Sequence, residues 1–282
     1  VNARAQVLIT ATELAELIHA EQPVTILDVR WQLDAPDGRL AHERGHIPGA
    51  VYVSLDDELS DHAVSGRGRH PLPDGRALES AARRWGVRQA VPVVVYDDWN
   101  RAGSGRAWWV LTAAGISDVR ILDGGLAAWR AAGGDVETGP VAPEPGNVAV
   151  PQHDLYAGNR ATLSAAQAQR VTLLDARAPD RFRGDAEPVD AVAGHIPGAK
   201  NLPVGAVLTD DGTFRDDAAL VQLLSDRGVE GSAPVGSYCG SGVTATVVIA
   251  ALAAVGHEAA LFPGSWSEWV SDANRPVARG PE

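Results

Sequence analysis

The chain has 282 residues, 45% of them hydrophobic and 21% charged, which is enough apolar material for one large core or two medium ones in an ordinary globular protein. Its 36 Asp and Glu outweigh 24 Lys and Arg, giving a formal net charge of -12, so nucleic acid and anionic membrane are excluded as general partners. One cysteine, Cys239, excludes an intramolecular disulfide and a zinc cluster built on several thiolates; no metal and no cofactor is expected.

In chain order, the opening Val1-Asn2-Ala3-Arg4-Ala5 carries no apolar signal core. Thr12 to Ala20 reads as a helix and Val24 to Val29 as a buried strand, the latter closing on Asp28-Val29-Arg30. Gly45-His46-Ile47-Pro48-Gly49-Ala50 is a turn. Val93 to Tyr96 is a second buried strand, followed by Asp97 and a helix from Gly105 to Ala114, then Gly124-Gly125-Leu126-Ala127-Ala128-Trp129. The stretch from Thr138 to Thr162 is rich in Pro and Gly, has no period, and reads as a linker.

Beyond it the same signals return. Leu173-Leu174-Asp175-Ala176-Arg177 repeats the first strand, and Gly194-His195-Ile196-Pro197-Gly198-Ala199 repeats the turn. Val235-Gly236-Ser237-Tyr238-Cys239 stands where Val93 to Asp97 stood, and Gly264-Ser265-Trp266-Ser267-Glu268-Trp269 closes the series. Four matches in one order indicate two homologous domains, placed at 1–140 and 161–282 with 141–160 between them. Strands alternating with helices make each an α/β unit, a mostly parallel sheet flanked by helices on both faces. The apolar run Val243 to Val255 is shorter than the roughly 20 residues of a bilayer span and reads as a buried helix. The expected setting is cytoplasmic, with no membrane partner.

Ligand sites in such sheets lie at the carboxyl ends of the strands, where Cys239 falls. Gly240, Ser241 and Gly242 let the backbone curl between strand and helix, turning amides inward as an anion nest. With the helix dipole, this favours thiolate over thiol. A buried structural cysteine does not need such neighbours, whereas a reactive one does. Asp97 holds the corresponding place in the first half, so that half lacks the thiol and is expected to form one wall of an interdomain pocket.

These motifs, namely the paired Asp-x-Arg and Gly-His-Ile-Pro-Gly-Ala segments, the Cys239–Thr244 loop and the Gly264–Trp269 ending, resemble the tandem-domain rhodanese superfamily over nearly the whole chain. The resemblance implies an inactive first domain, an active second one, and sulfurtransferase activity through a Cys239 persulfide. The Cys-Gly-Ser-Gly loop is similar to that of 3-mercaptopyruvate sulfurtransferases, since thiosulfate enzymes usually carry basic residues where this chain has Gly240 and Ser241. It implies a relay of Ser241, His70 and Asp56 beside Cys239. Donor contacts fall to Arg181 and to the loop residues Gly240, Gly242, Val243 and Thr244. A second arginine of that branch would fall at Val189; Arg183 and Arg101 are the candidates to replace it. This departure keeps thiosulfate:cyanide transfer open as the alternative.

The implied donor is a small anion, 3-mercaptopyruvate or thiosulfate, and the acceptor is cyanide, a small thiol or a thioredoxin-like dithiol protein. His70 has no counterpart in the second half, which favours a functional role. His46 and His195, and the pairs Asp28–Arg30 and Asp175–Arg177, occur in both halves and are read as structural. Trp31, Trp99 and Trp266 are candidate pocket walls. A related phosphatase would need an arginine where Ala245 stands. A non-catalytic sulfur-binding module is the remaining class.

Overall fold

The computed structural model describes residues 2–231 and 233–281. Its first sheet has strands β1 (Leu8–Ile9), β2 (Thr25–Asp28), β3 (Val51–Tyr52), β4 (Val93–Tyr96) and β5 (Val119–Leu122). They run parallel in the order β1-β5-β4-β2-β3. The second sheet has β6 (Thr172–Asp175), β7 (Lys200–Asn201), β8 (Val235–Tyr238) and β9 (Ala260–Leu261), parallel in the order β7-β6-β8-β9. Thr162 bridges Leu261 in parallel, standing where β1 pairs with β5. The two sheets are thus one pattern repeated. β4 and β8 are buried at every position and show no inside-outside alternation, as expected of parallel strands covered on both faces.

The repeated motifs meet at the carboxyl ends of the strands. Asp28 pairs in register with Tyr96, and Asp175 with Tyr238. Arg30 closes on the Asp28 carboxylate at 2.8 Å and Arg177 on Asp175 at 2.6 Å, all four side chains almost fully buried. The Ile47 amide donates to the Tyr96 hydroxyl at 3.2 Å, and the Ile196 amide donates to Tyr238 at 3.1 Å. Each Gly-His-Ile-Pro-Gly turn is thereby tied to the strand that precedes the cysteine position. His46 and His195 are buried, their Nδ1 atoms 2.8 Å from the carbonyls of His42 and Phe182, and neither touches the thiol loop.

Helix starts differ from the sequence reading for identifiable reasons. The first predicted helix spans Ala11–His19, one residue early, because Thr10 and Glu13 form a reciprocal capping box. The helix expected from Gly105 spans Ala102–Ala113. Its glycines look like breakers in sequence but are there for close packing: a Cβ on Gly103 would sit 1.8 Å from the Val29 carbonyl.

Segment 141–160 forms no strand and only a short 3-10 turn, Leu155–Ala157, among its described residues. It is a strap rather than free coil. The Gly146 and Val148 amides donate to the Arg83 and Val87 carbonyls at 2.7 and 3.2 Å, and Val148 and Val150 are buried. Among the described residues no helix is long and apolar enough to cross a membrane.

The domains share one apolar core. Helix Ala102–Ala113 packs on helix Ala245–Ala254, and both are buried nearly all round because each lies between its own sheet and the other helix. Gly105 sits at the crossing, where a Cβ would stand 3.1 Å from Thr246 Oγ1 and from Val247 Cγ2. Gly105→Ala therefore has opposing terms, a helix-propensity gain of about 0.8–1 kcal/mol against slight crowding. Gly105→Leu has no room, and overpacking should destabilise the chain by about 1–3 kcal/mol, read as a lower midpoint in urea or thermal denaturation.

Candidate functional site

Cys239 follows β8 directly and is 2% exposed. Its amide donates to Ser265 Oγ at 3.1 Å, and its carbonyl accepts from the Trp266 amide at 3.0 Å. The Ser267 amide donates to the Gly240 carbonyl at 2.9 Å. The Gly264–Trp269 repeat is therefore the clamp that shapes the cysteine loop. The Gly242 amide donates to Cys239 Sγ at 3.2 Å. Gly242 has φ +79°, and a Cβ there would lie 2.2 Å from the Pro263 carbonyl, so only glycine fits. The loop was expected to aim a ring of amides at the sulfur; the bond it forms comes from this one.

A second contribution comes from below. Arg106, in helix Ala102–Ala113, is fully buried and donates to the carbonyls of Gly242 (3.1 Å), His70 (3.0 Å), Pro71 (3.2 Å) and Leu59 (3.0 Å). Burial pulls its pKa down to about 10, with the Tyr156 and Cys239 charges opposing, so it stays cationic at neutral pH. Arg106 places a positive charge one peptide away from the thiol.

The first domain also delivers a hydrogen-bonded chain. Ser241, 5% exposed, has its Oγ 2.8 Å from His70 Nδ1. His70 Nε2 lies 3.3 Å from Asp56 Oδ1, and the Trp31 indole donates to that same oxygen at 2.9 Å. The Trp31 ring also meets His70 edge-on at 5.5 Å between centroids. The His70 bond holds Asp56 below the usual carboxylate range against partial burial. Burial outweighs the pull of Asp56 and holds His70 below its ordinary value. At neutral pH the pair is therefore carboxylate and neutral imidazole. An ionised Asp56 can only accept, so Nε2 carries the proton and Nδ1 accepts the Ser241 hydroxyl. Asp56, His62 and His70 bring ligand atoms within 4.8 Å of one another, a set that could take a divalent transition metal only by displacing bonds that already engage both His70 nitrogens.

Arg181 is close to the loop, but it is held by carboxylates. Its Nε and NH2 donate to Glu187 at 3.3 and 2.6 Å, and NH2 reaches Asp190 at 3.3 Å. Arg69 pairs with the other oxygen of Asp190. Neither proposed stand-in for the residue at Val189 reaches the site. Arg183 pairs with Asp185 on the surface at 2.7 Å, and buried Arg101 closes on Asp97 at 3.0 Å inside its own domain. The Val243 side chain belongs to the core, so what it offers a ligand is backbone, and Thr244 is half-buried at the helix start. Of the tryptophans, Trp31 touches the site. Trp266 is wholly buried with the Arg177 guanidinium over its ring, and Trp99 is half exposed, paired by its carbonyl to Arg101. A cavity of about 600 Å³, lined by residues including Gln6, Thr112, Arg160 and Glu258, contains no residue of the cysteine loop.

Sequence reading missed Arg106, Arg69, Glu187 and Asp190. An arginine amid the apolar run of helix Ala102–Ala113 was a usable signal; the other three sit in polar segments that look solvated.

The rhodanese-like domain family matches this chain twice, over residues 10–132 and 160–272. A Mycobacterium tuberculosis protein named "Putative thiosulfate sulfurtransferase SseB" is 68% identical over 281 residues, 99% of either chain. The 3-mercaptopyruvate sulfurtransferase of Escherichia coli K12 is 36% identical over 267 residues, 92% of this chain and 94% of that one. Among solved structures, the 3-mercaptopyruvate sulfurtransferase of Leishmania major superposes with a TM-score of 0.85 at 28% identity, covering 96% of this chain and 76% of its own. With one copy of the domain in each half and relatives of this kind along its whole length, the chain belongs to the rhodanese family of sulfurtransferases.

Proposed function

We propose that the chain moves a sulfane sulfur from a small anionic donor to a thiophilic acceptor through a persulfide on Cys239, in two half-reactions. Domains 1–140 and 161–282 share the work across the 141–160 strap. The thiolate attacks the donor's outer sulfur, and the acceptor (cyanide, a small thiol or a thioredoxin-like dithiol protein) then removes it. A cytoplasmic setting suits the lone free thiol and needs no membrane partner.

The observation that carries the donor choice is the Ser241–His70–Asp56 chain, already assembled beside the thiol at 2.8 and 3.3 Å. With 3-mercaptopyruvate, the Cys239 sulfur bonds to the donor sulfur as the C–S bond breaks and its electron pair leaves on the pyruvate methylene carbon. The donor's thiol proton must then travel to that carbon. A neutral His70 accepts it through Ser241, Asp56 steadies the imidazolium, and the proton returns to carbon, giving pyruvate and Cys-S-S⁻. Thiosulfate releases sulfite as its S–S bond breaks and needs no proton. A second reading, thiosulfate:cyanide transfer, is favoured by Val189 in place of an arginine and by the name of the 68%-identical relative.

Incubation with either donor followed by intact-mass analysis should add one sulfur to the chain and none to Cys239→Ser; no gain with both donors would leave only the binding-module reading.

His70→Ala should cut turnover of 3-mercaptopyruvate by about 10²–10⁴-fold and that of thiosulfate far less, the usual scale of acid–base assistance. Equal losses with both donors would remove the relay from the mechanism.

Acid should act through the same side chain. The folded pKa of His70 lies below the ordinary 6.5, so in the interval between the two the unfolded chain binds a proton that the native chain does not. Stability should therefore rise with pH across that interval and fall on acidification through it. Mercaptopyruvate turnover should show an acid limb with its midpoint below 6.5, absent in His70→Gln; an acid limb unchanged in that variant would assign it to another group.

A further inference from the structure

Two guanidiniums from different domains converge on the residue after the thiol. A Cβ on Gly240 would stand 3.0 Å from Arg69 NH2 and 3.8 Å from both NH1 and NH2 of Arg181. The space beside the loop that a basic side chain at Gly240 would fill is thus taken by two arginines from elsewhere. Arg69 arrives on the segment that carries His70, and its amide is fixed to Ser267 Oγ at 3.1 Å, in the clamp that shapes the cysteine loop. Asp190, 5% exposed in its side chain, stands between the arginines, one oxygen taking Arg69 and the other Arg181. Glu187 takes a second edge of Arg181. The carboxylates anchor both guanidiniums, Arg181 by two nitrogens and Arg69 by one, without using all their donors. Arg69 Nε is buried with no hydrogen-bond partner, and such unmet donors mark places where an acceptor is due. Val189, meanwhile, is exposed and offers no charge.

We infer that Arg69 and Arg181 together receive the oxyanion end of the sulfur donor, so that the second arginine of donor recognition comes from the first domain rather than from position 189. The ligand class is a small molecule that carries both a transferable sulfur and an oxyanion group, a carboxylate separated from the sulfur by two carbons in one donor and a sulfonate-like group bonded to the sulfur in the other. Bound this way, the donor bridges the two domains directly over Gly240. The inference rests on the sulfur-transfer reading above.

The test is steady-state transfer to cyanide by Arg69→Ala and Arg69→Lys, with 3-mercaptopyruvate and thiosulfate as separate donors, alongside intact-mass detection of the persulfide at saturating donor. Arg69→Ala should raise donor KM by about tenfold or more, the scale of a lost charged hydrogen bond, with cyanide KM unchanged and the persulfide still formed. Arg69→Lys should fall between, since an ammonium keeps the charge but not the fork. A rise confined to one donor identifies whose oxyanion the pair holds. A donor KM within about twofold of wild type for both donors, with a normal persulfide, would overturn this inference and leave sulfur transfer intact. So would a loss spread equally over donor KM, cyanide KM and kcat, the mark of a merely structural role. A wild-type chain that gains no sulfur from either donor would overturn the parent reading and this one together.

Discussion

The site depends on one sulfur held in a nearly dry place. Cys239 is almost wholly buried. Two groups face it there: the Gly242 amide, which donates to Sγ, and the buried Arg106 cation, which donates to the carbonyl of that same residue. Arg106 gives its hydrogen bonds to neutral carbonyls, and an isolated buried cation costs several kcal/mol. On the proposed mechanism a sulfur anion nearby would offset part of that cost, each charge making the other tolerable in a low-dielectric interior.

The first domain shows what this loop is for. At the place of the cysteine, the Asp97 carboxylate accepts from the amides of Trp99 (3.0 Å), Arg101 (3.3 Å) and Ser104 (3.0 Å), and from the Ser104 hydroxyl (2.6 Å). The duplicated strand-loop-helix is an anion holder in both halves. In the first half the chain's own carboxylate fills it and pairs with Arg101. In the second half a free cysteine takes the same place. The first domain instead brings Asp56, Arg69, His70 and Arg106 to the loop of the second. That sharing requires a rigid junction, because a relay at 2.8 and 3.3 Å does not survive domain sliding. Inter-domain motion is the default where interfaces are small and polar. Here two helices buried nearly all round, crossing at Gly105, oppose it.

Local signals made much of this legible in sequence. Cys239 and Ser241 stand out because a buried β-run ends in Gly-Ser-Gly before an apolar helix, and backbone curling there needs those residues. The duplicated motifs exposed the two-domain plan and separated structural histidines from His70. Asp56 came only from resemblance, because its carboxylate acquires meaning through a partner 14 residues away along an irregular loop. Arg106 stood out as a charge in an apolar helix, but the signal gave no role: only folding gathers the carbonyls of Leu59, His70, Pro71 and Gly242 around it. Helix starts at glycines were misread for a similar reason. Gly103 serves a close approach to Val29, a contact far away in sequence.

The arginines at Gly240 raise a question that net charge does not answer. The chain carries -12 overall, so its distant field repels an anionic donor. The receptor itself sets Arg69 and Arg181 against Asp190 and Glu187, two cations against two carboxylates. Burial pushes Asp190 up even against Arg69, whereas bonds from Arg181 and the Asp190 amide overcome burial at Glu187 and hold it down. Such a cluster has little net pull at a distance. What it offers is direction, with guanidinium edges turned to the loop and held there by carboxylates behind them. Long-range attraction would draw in any anion, a spent product as readily as a donor. On the inference drawn above, a locally balanced receptor would instead favour a donor whose oxyanion and sulfur reach the arginines and Cys239 at once. In a protein that repels anions overall, such selection by spacing would leave product release unhindered.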